Sequence, residues 1–196
     1  MNHALTTPQL ADAELHYSAH FLSSTEADRY LTELQHSLQW RQDQIRLFGR
    51  HVALPRLQAW YGDPDLNYRY SGLSLTTLPW PPALLALRQR IQQSCDHRFN
   101  AVLANLYRNG HDSMGWHADD EVELGPNPCI ASLSLGQPRT FRLRRRDDPT
   151  QHHSIELAHG SLLIMAGTTQ QFWQHALPKR LKLTQPRINL TFRWIR

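Results

Sequence analysis

Hydrophobic positions recur in this chain with two periods, helical in the first half and alternating in the second. Ser23-x-x-Glu26 has capping-box form, and Ala27, Tyr30, Leu31, Leu34 and Leu38 follow at helical spacing, predicting an amphipathic helix over 24–38. Pro81-Pro82 opens a second helix over 82 to about 95, with Leu84, Leu85, Leu87, Arg88 and Ile91 in register. Residues 1–13 read as loose, and Leu15 to Phe21 as holding a short strand. Residues 40–80 are less regular, with two short strands expected within 47–56 around a turn at Gly49, next to Phe48. From Ala101 onward the pattern predicts strands near 101–107, 114–118, 129–135, 139–146, 152–157, 161–166, 172–176 and 187–195. Gly110, Gly125-Pro126, Gly136-Gln137-Pro138, Gly160 and Gly167 punctuate them, so the whole reads as a mainly β (α+β) antiparallel sandwich or jelly roll.

The last strand, R-I-N-L-T-F-R-W-I-R (187–196), places Ile188, Leu190, Phe192 and Trp194 on one face and Arg187, Asn189, Thr191 and Arg193 on the other. A basic solvated face is one reading of the polar set. The other is a grip for a small dianion, because guanidinium presents a fork that fits a carboxylate. In A-V-L-A-N-L-Y (101–107), Asn105 and Tyr107 likewise share a face. His117-Ala118-Asp119 can turn an imidazole and a carboxylate toward one ion. With 12 histidines and 17 acidic residues, about one such H-x-[DE] pair arises by chance, so the pair is weak evidence alone. A further histidine, His175, follows in a strand-like segment. Two His and one carboxylate with open positions suit non-haem Fe(II), and zinc hydrolases use similar ligands.

The chain has 196 residues and a net charge of +4, which favours one domain and permits a nucleic-acid partner. Its two cysteines, Cys95 and Cys129, are not in a CxxC pair, which fits a reducing compartment and argues against a disulfide scaffold. There is no signal-peptide pattern and no run long enough for a membrane span, so a cytoplasmic monomer without a membrane partner is expected. Trp60, Tyr61, Tyr68 and Tyr70 interleave with Arg56 and Arg69, an arrangement that suits stacked bases or an ordinary aromatic cluster. Five arginines within 139–146 read as a solvated face or as phosphate contacts.

Taken together, the motifs resemble the AlkB-type Fe(II)/2-oxoglutarate dioxygenases, especially the subgroup that repairs alkylated DNA. The resemblance covers roughly residues 45–196. It rests on P-R-x-x-A-x-Y-G-D (55–63), N-x-Y (105–107), H-x-D-D-E (117–121), I-A-S-x-S-x-G (130–136), H-G-S-L-L (159–163), W-x-H-x-L-P (173–178) and P-R-x-N-L-T-F-R (186–193). It implies a double-stranded β-helix, with residues from about 101 as catalytic core and about 1–100 as an extension carrying helices and a nucleotide lid. It implies His117, Asp119 and His175 as iron ligands and Arg187 as partner of the distal 2-oxoglutarate carboxylate. Asn105, Tyr107, Asn189 and Arg193 fall on further positions near the cosubstrate and metal. Tyr68 and Tyr70 fall in the lid over a flipped base, Glu121 near the base's exocyclic group, and Phe48 on a finger that fills the gap in the stack. Arg56 joins these as an expected nucleic-acid contact.

The implied activity is oxidative demethylation of 1-methyladenine or 3-methylcytosine in DNA, using Fe(II), 2-oxoglutarate and O2. A methylated pairing edge is already poorly paired, so taking it from the stack costs less. Alternatives are the same chemistry on RNA, protein or lipid, or a jelly roll that binds nucleic acid without turnover.

Overall fold

The computed structural model describes residues 8–47, 49–64, 66–70 and 73–196. Strand β1 (Glu14–Ser18) leads into helix α1 (Ser24–Ser37). The capping box is present: the Glu26 amide donates to Ser23 Oγ, and the Ser23 amide donates to Glu26 Oε2 at 2.9 Å. Hairpin strands β2 (Gln44–Leu47) and β3 (Arg50–Ala53) follow, then β4 (Leu57–Gly62), the ribbon β5 (Asn67–Tyr70) and β6 (Leu73–Thr76), and helix α2 (Pro82–Cys95). The remainder is β7 (Ala101–Tyr107), β8 (Met114–His117), a 3-10 turn at Val122–Leu124, β9 (Ile130–Gly136), β10 (Arg139–Arg145) and β11 (His152–Leu157). It ends with β12 (Ser161–Ala166), the single turn α3 (Thr169–Phe172), β13 (Trp173–Leu177) and β14 (Arg187–Arg193).

Ten of these strands form two antiparallel sheets, ordered β1-β12-β9-β14-β7-β4 and β11-β10-β13-β8. This is the expected jelly roll, and its second-half strands match the alternation within one or two residues. The hydrophobic face of the larger sheet lies under the helices: Ala104, Leu133, Ile188, Leu190 and Phe192 pack with Leu34, Leu84, Leu87 and Ile91. Its other face meets the smaller sheet, where Leu103, Ile130 and Leu163 pack with Phe141, Leu143 and Ile155. Leu190 is fully buried, and truncating such a side chain to Ala costs about 2–5 kcal/mol. The polar sides of β7, β9 and β14 therefore face inward, between the sheets, and the solvated reading of the last strand does not hold.

Three expectations are corrected here. The irregular stretch 40–80 contains β4, which pairs with β7 from Leu57↔Leu106 to Gly62↔Ala101, so the larger sheet takes β1 and β4 from the first hundred residues. The aromatics of β4 belong to the core: Trp60 packs between the sheets, and Tyr61 accepts a hydrogen bond from the Gln39 amide at 2.9 Å. The second correction is the hairpin, which starts earlier than 47, at Gln44. The third is the last strand, which ends at Arg193. Beyond it Asn100 clamps Ile195, donating to its carbonyl and accepting from its amide, both at 2.7 Å. Ile195 is thereby buried and Trp194 is left 47% exposed, so Trp194 does not join the face of Phe192.

Gly136 ends β9 with φ +87°, and a Cβ there would lie 2.4 Å from the Pro186 carbonyl, next to Arg187. Among the described residues, no helix is long and apolar enough to cross a membrane.

Candidate metal and cosubstrate site

The inward polar faces line one cavity. His117 ends β8 and His175 sits in β13, and the two are direct cross-strand partners with ring centroids 4.2 Å apart. Asp119 lies just past β8. The ligand atoms of His117, Asp119 and His175 all fall within 4.8 Å of one another. Each is held from behind. The His117 Nδ1–H donates to the Gly115 carbonyl at 2.9 Å, which leaves Nε2 as the ligand atom. The Asp119 amide donates to Gln170 Oε1 at 2.9 Å, from α3. Asp119 Oδ1 accepts from Arg193 Nη2 at 2.7 Å, while Oδ2 faces His175 Nε2 at 4.0 Å. His175 also lies against Phe141, with centroids 5.1 Å apart.

Protonation states follow from burial and charge. Burial pushes the Asp119 carboxyl up, but Arg193 and the two imidazoles outweigh it and hold it at about 2. Burial, with His117 adding to it, pushes His175 down to about 3, and burial also lowers His117. At neutral pH the site is one carboxylate and two neutral imidazoles, the forms that bind a divalent cation.

The other end of β14 carries Arg187, 2% exposed. Its Nη2 donates to Ser134 Oγ at 2.9 Å, and its guanidinium lies 5.3 Å from the centre of the Tyr107 ring. Among the described residues no carboxylate pairs with it, and its Nε has no hydrogen-bond partner. Burial lowers its pKa to about 10, so it stays charged. Between the two arginines, Asn189 donates to Ser132 Oγ at 2.8 Å and accepts from Thr191 at 3.1 Å. Asn105 Oδ1 accepts from Arg56 Nε at 2.9 Å and Gln58 Nε2 at 3.0 Å, so Asn105 offers the cavity its amide N–H groups.

The structure thus brings His117, Asp119, His175, Asn105, Tyr107, Arg187, Asn189 and Arg193 to one cavity. Glu121 is half-buried and lies outside that lining. Tyr68 and Tyr70 fall on the β5 backbone, and Phe48 lies outside the described residues. Arg56 is 3% exposed and spent on Asn105, so its expected contact with nucleic acid is corrected to support of the cavity wall. In the arginine strand, Arg139 is buried and bonds the Asp112 and Pro178 carbonyls, which leaves it no phosphate to meet. Arg144 lies 4.4 Å from the Trp116 ring, and Arg146 pairs with Asp120. Ser132, Ser134, Gln58, Gln170 and Phe141 were not singled out from the sequence. The two serines stand in the I-A-S-x-S-x-G motif, on the inward face of β9.

A double-stranded β-helix with a His-Asp-His set on its smaller sheet and a buried arginine across the cavity defines a class of metal-dependent oxygenases. A profile of the 2OG-Fe(II) oxygenase superfamily matches residues 14–193, and the chain belongs to that superfamily, within its AlkB-type branch. Human alpha-ketoglutarate-dependent dioxygenase alkB homolog 3 is 43% identical over 184 residues, 89% of this chain and 64% of that protein. Mouse DNA oxidative demethylase ALKBH2 is 41% identical over 180 residues, 87% of this chain and 75% of that protein. The chain thus spans just under two thirds of the alkB homolog 3 relative. The structure of OsALKBH1 aligns with TM-score 0.63 at 17% identity, covering 94% of this chain and all of that one, which shows the shared fold.

Proposed function

We propose that this protein is an Fe(II)/2-oxoglutarate-dependent dioxygenase that removes methyl groups from alkylated nucleobases in DNA, of the 1-methyladenine and 3-methylcytosine type. Succinate, carbon dioxide and formaldehyde are the products. The observation that carries it is the pairing, in one cavity, of a three-ligand cluster with a buried arginine that has no carboxylate partner among the described residues. The names of the mouse and human relatives support the substrate and the cosubstrate respectively.

The residues fit the metal and the acid. His117, Asp119 and His175 would hold Fe(II), which supplies oxygen activation when bound with 2-oxoglutarate. Arg187 binds the far carboxylate of the keto acid, where a buried charge-assisted fork is worth more than in water. Tyr107 and Ser134 hold that guanidinium in place, and Asn105, anchored by Arg56 and Gln58, adds amide donors to the same wall. Arg193 keeps Asp119 ionised and turns Oδ2 toward the imidazoles. Tyr68, Tyr70, Glu121 and Phe48 are assigned to the nucleotide side of this reading by the resemblance alone.

Mass spectrometry of a single-stranded oligonucleotide carrying one 3-methylcytosine tests it, with Fe(II), ascorbate and oxygen, with and without 2-oxoglutarate. Loss of one methyl mass only when 2-oxoglutarate is present is the expected result. Turnover of 2-oxoglutarate without that loss moves the activity to another substrate, and no turnover at all overturns the metal assignment.

A further inference from the structure

Outside the cavity, two large apolar side chains are left exposed on segments that run on from the metal site. Val122 is 90% exposed and heads the 3-10 turn that follows Asp119. Trp194 follows Arg193, the residue that donates to Asp119. An exposed tryptophan is informative where the fold itself turns it outward. Here Asn100 does so, because its two 2.7 Å bonds to Ile195 bury Ile195 and break the alternation at Trp194. Among the described residues no ring or cation covers the indole face.

Trp194 borders a hollow of about 350 Å³, within the roughly 300–1,000 Å³ of small-molecule sites. Leu124, Pro126 and Pro128 give it apolar walls, and Arg98 and Arg196 bring two guanidiniums. No carboxylate side chain lines it, and neither arginine has an ion-pair partner among the described residues. Arg196 is held in place. Its amide donates to the Glu123 carbonyl at 2.9 Å, and its guanidinium lies against Gly125, where a Cβ would come within 2.5 Å of Cζ. The bare glycine is the cradle for that charge. An uncovered indole beside two unpaired guanidiniums suits a ligand that joins a flat ring to a negative charge. A free phosphate would leave the tryptophan unused, and an apolar peptide would leave both arginines unpaired. A nucleotide meets both, with its base stacked on the indole and its phosphate accepting from the arginines.

We propose that this hollow is a second nucleotide subsite, which holds a base of the nucleic-acid strand other than the one presented to the metal. The identity of the strand rests on the proposed function; the chemistry of the hollow does not. Two segments serve both places: the chain from Asp119 through the 3-10 turn to Gly125, and the chain from Arg193 to Arg196, joined by the Arg193–Asp119 and Arg196–Glu123 bonds. Both places also lie at one end of the larger sheet. Arg193 pairs with Ala101, Ala101 pairs with Gly62, and from Gly62 the chain passes into the β5–β6 ribbon. A strand that enters the metal cavity at that end has Val122 and then Trp194 along its way.

The test is fluorescence anisotropy of an end-labelled, unmodified single-stranded oligonucleotide titrated with the full chain, so that no turnover is needed. Trp194→Ala should weaken binding about tenfold, the loss of one stacked base, and Trp194→Phe should keep most of the affinity. Arg98→Ala should weaken binding and lower the slope of log affinity against log salt by about one phosphate contact. Parent-like circular dichroism and unfolding midpoints in all three variants tie these losses to the hollow. Equal affinity of the parent and Trp194→Ala would overturn the proposal, even where 3-methylcytosine is demethylated. The tenfold loss would sustain it even where no methyl group leaves, so the failure of one reading is told from the failure of the other. Adenosine monophosphate serves as the free-nucleotide probe. If it binds the parent and not Trp194→Ala, while the strand binds both alike, the hollow takes free nucleotides and the strand proposal falls.

Discussion

Arg187 and Arg193 stand at opposite ends of β14, on the same inward face, each 2% exposed. By sequence spacing and burial they are twins. Their surroundings are not. Arg193 meets Asp119 at 2.7 Å, so its charge is neutralised within the protein and is used to fix a metal ligand. Arg187 meets a hydroxyl, a ring face and, among the described residues, no carboxylate. A buried cation without a counter-charge is expensive, and it persists where a ligand completes it. One arginine belongs to the folded protein and the other to its cosubstrate.

That contrast can be broken by making the same substitution at both ends. Arg193→Met strands the Asp119 carboxylate and should cost about 3–5 kcal/mol in the urea-unfolding free energy of the metal-free protein. Arg187→Met removes a charge that has nothing to strand, so its stability should stay within about 1 kcal/mol of the parent. Equal losses at the two sites would end the comparison.

Turnover sharpens it from the other side. Arg187→Met should raise the KM for 2-oxoglutarate on the order of 100-fold, through loss of a buried charge-assisted pair. A KM that does not move, read from succinate formation against cosubstrate concentration, would place the distal carboxylate elsewhere.

The Arg193 effect should also depend on pH. In the parent, Asp119 is held at about 2, below its ordinary 3.8. It therefore contributes stability that is present above about 4 and lost as pH falls through about 2. Without Arg193, burial becomes the dominant influence and raises the carboxyl. A raised carboxyl is neutral in the folded state at low pH, and its cost appears as pH rises. The stability gap between parent and Arg193→Met should therefore narrow from pH 7 to pH 4 in the metal-free protein. A gap that is constant with pH would assign the loss to packing.

The smallest effect lies at the start of α1, far from either arginine. Ser23→Ala removes the cap and should cost about 1 kcal/mol, with KM and kcat unchanged. A larger loss, or a change in turnover, would show that the helix couples to the cavity.

Much of this site can be read along the chain. The alternation in 187–193 assigns Arg187, Asn189 and Arg193 to one face, the H-x-D spacing turns His117 and Asp119 together, and the capping box marks α1, because these depend only on local periodicity. β4 escaped such a reading because a strand flanked on one side in its sheet and buried on both faces, with burial running through Ala59, Trp60 and Tyr61, shows no alternation. Arg56 was misplaced for a related reason. An arginine looks solvated until the acceptor that buries it, Asn105, arrives from 49 residues away.

Period and capping, which act over a few residues, mark α1, α2 and the faces of the strands after Ala101. The three-dimensional fold, in contrast, decides which of two equivalent arginines has a carboxylate partner and brings His175 to face His117 across adjacent strands. Those outcomes depend on the order in which strands pair and on how burial strengthens each charge it encloses. Neither quantity is local to any stretch of the chain.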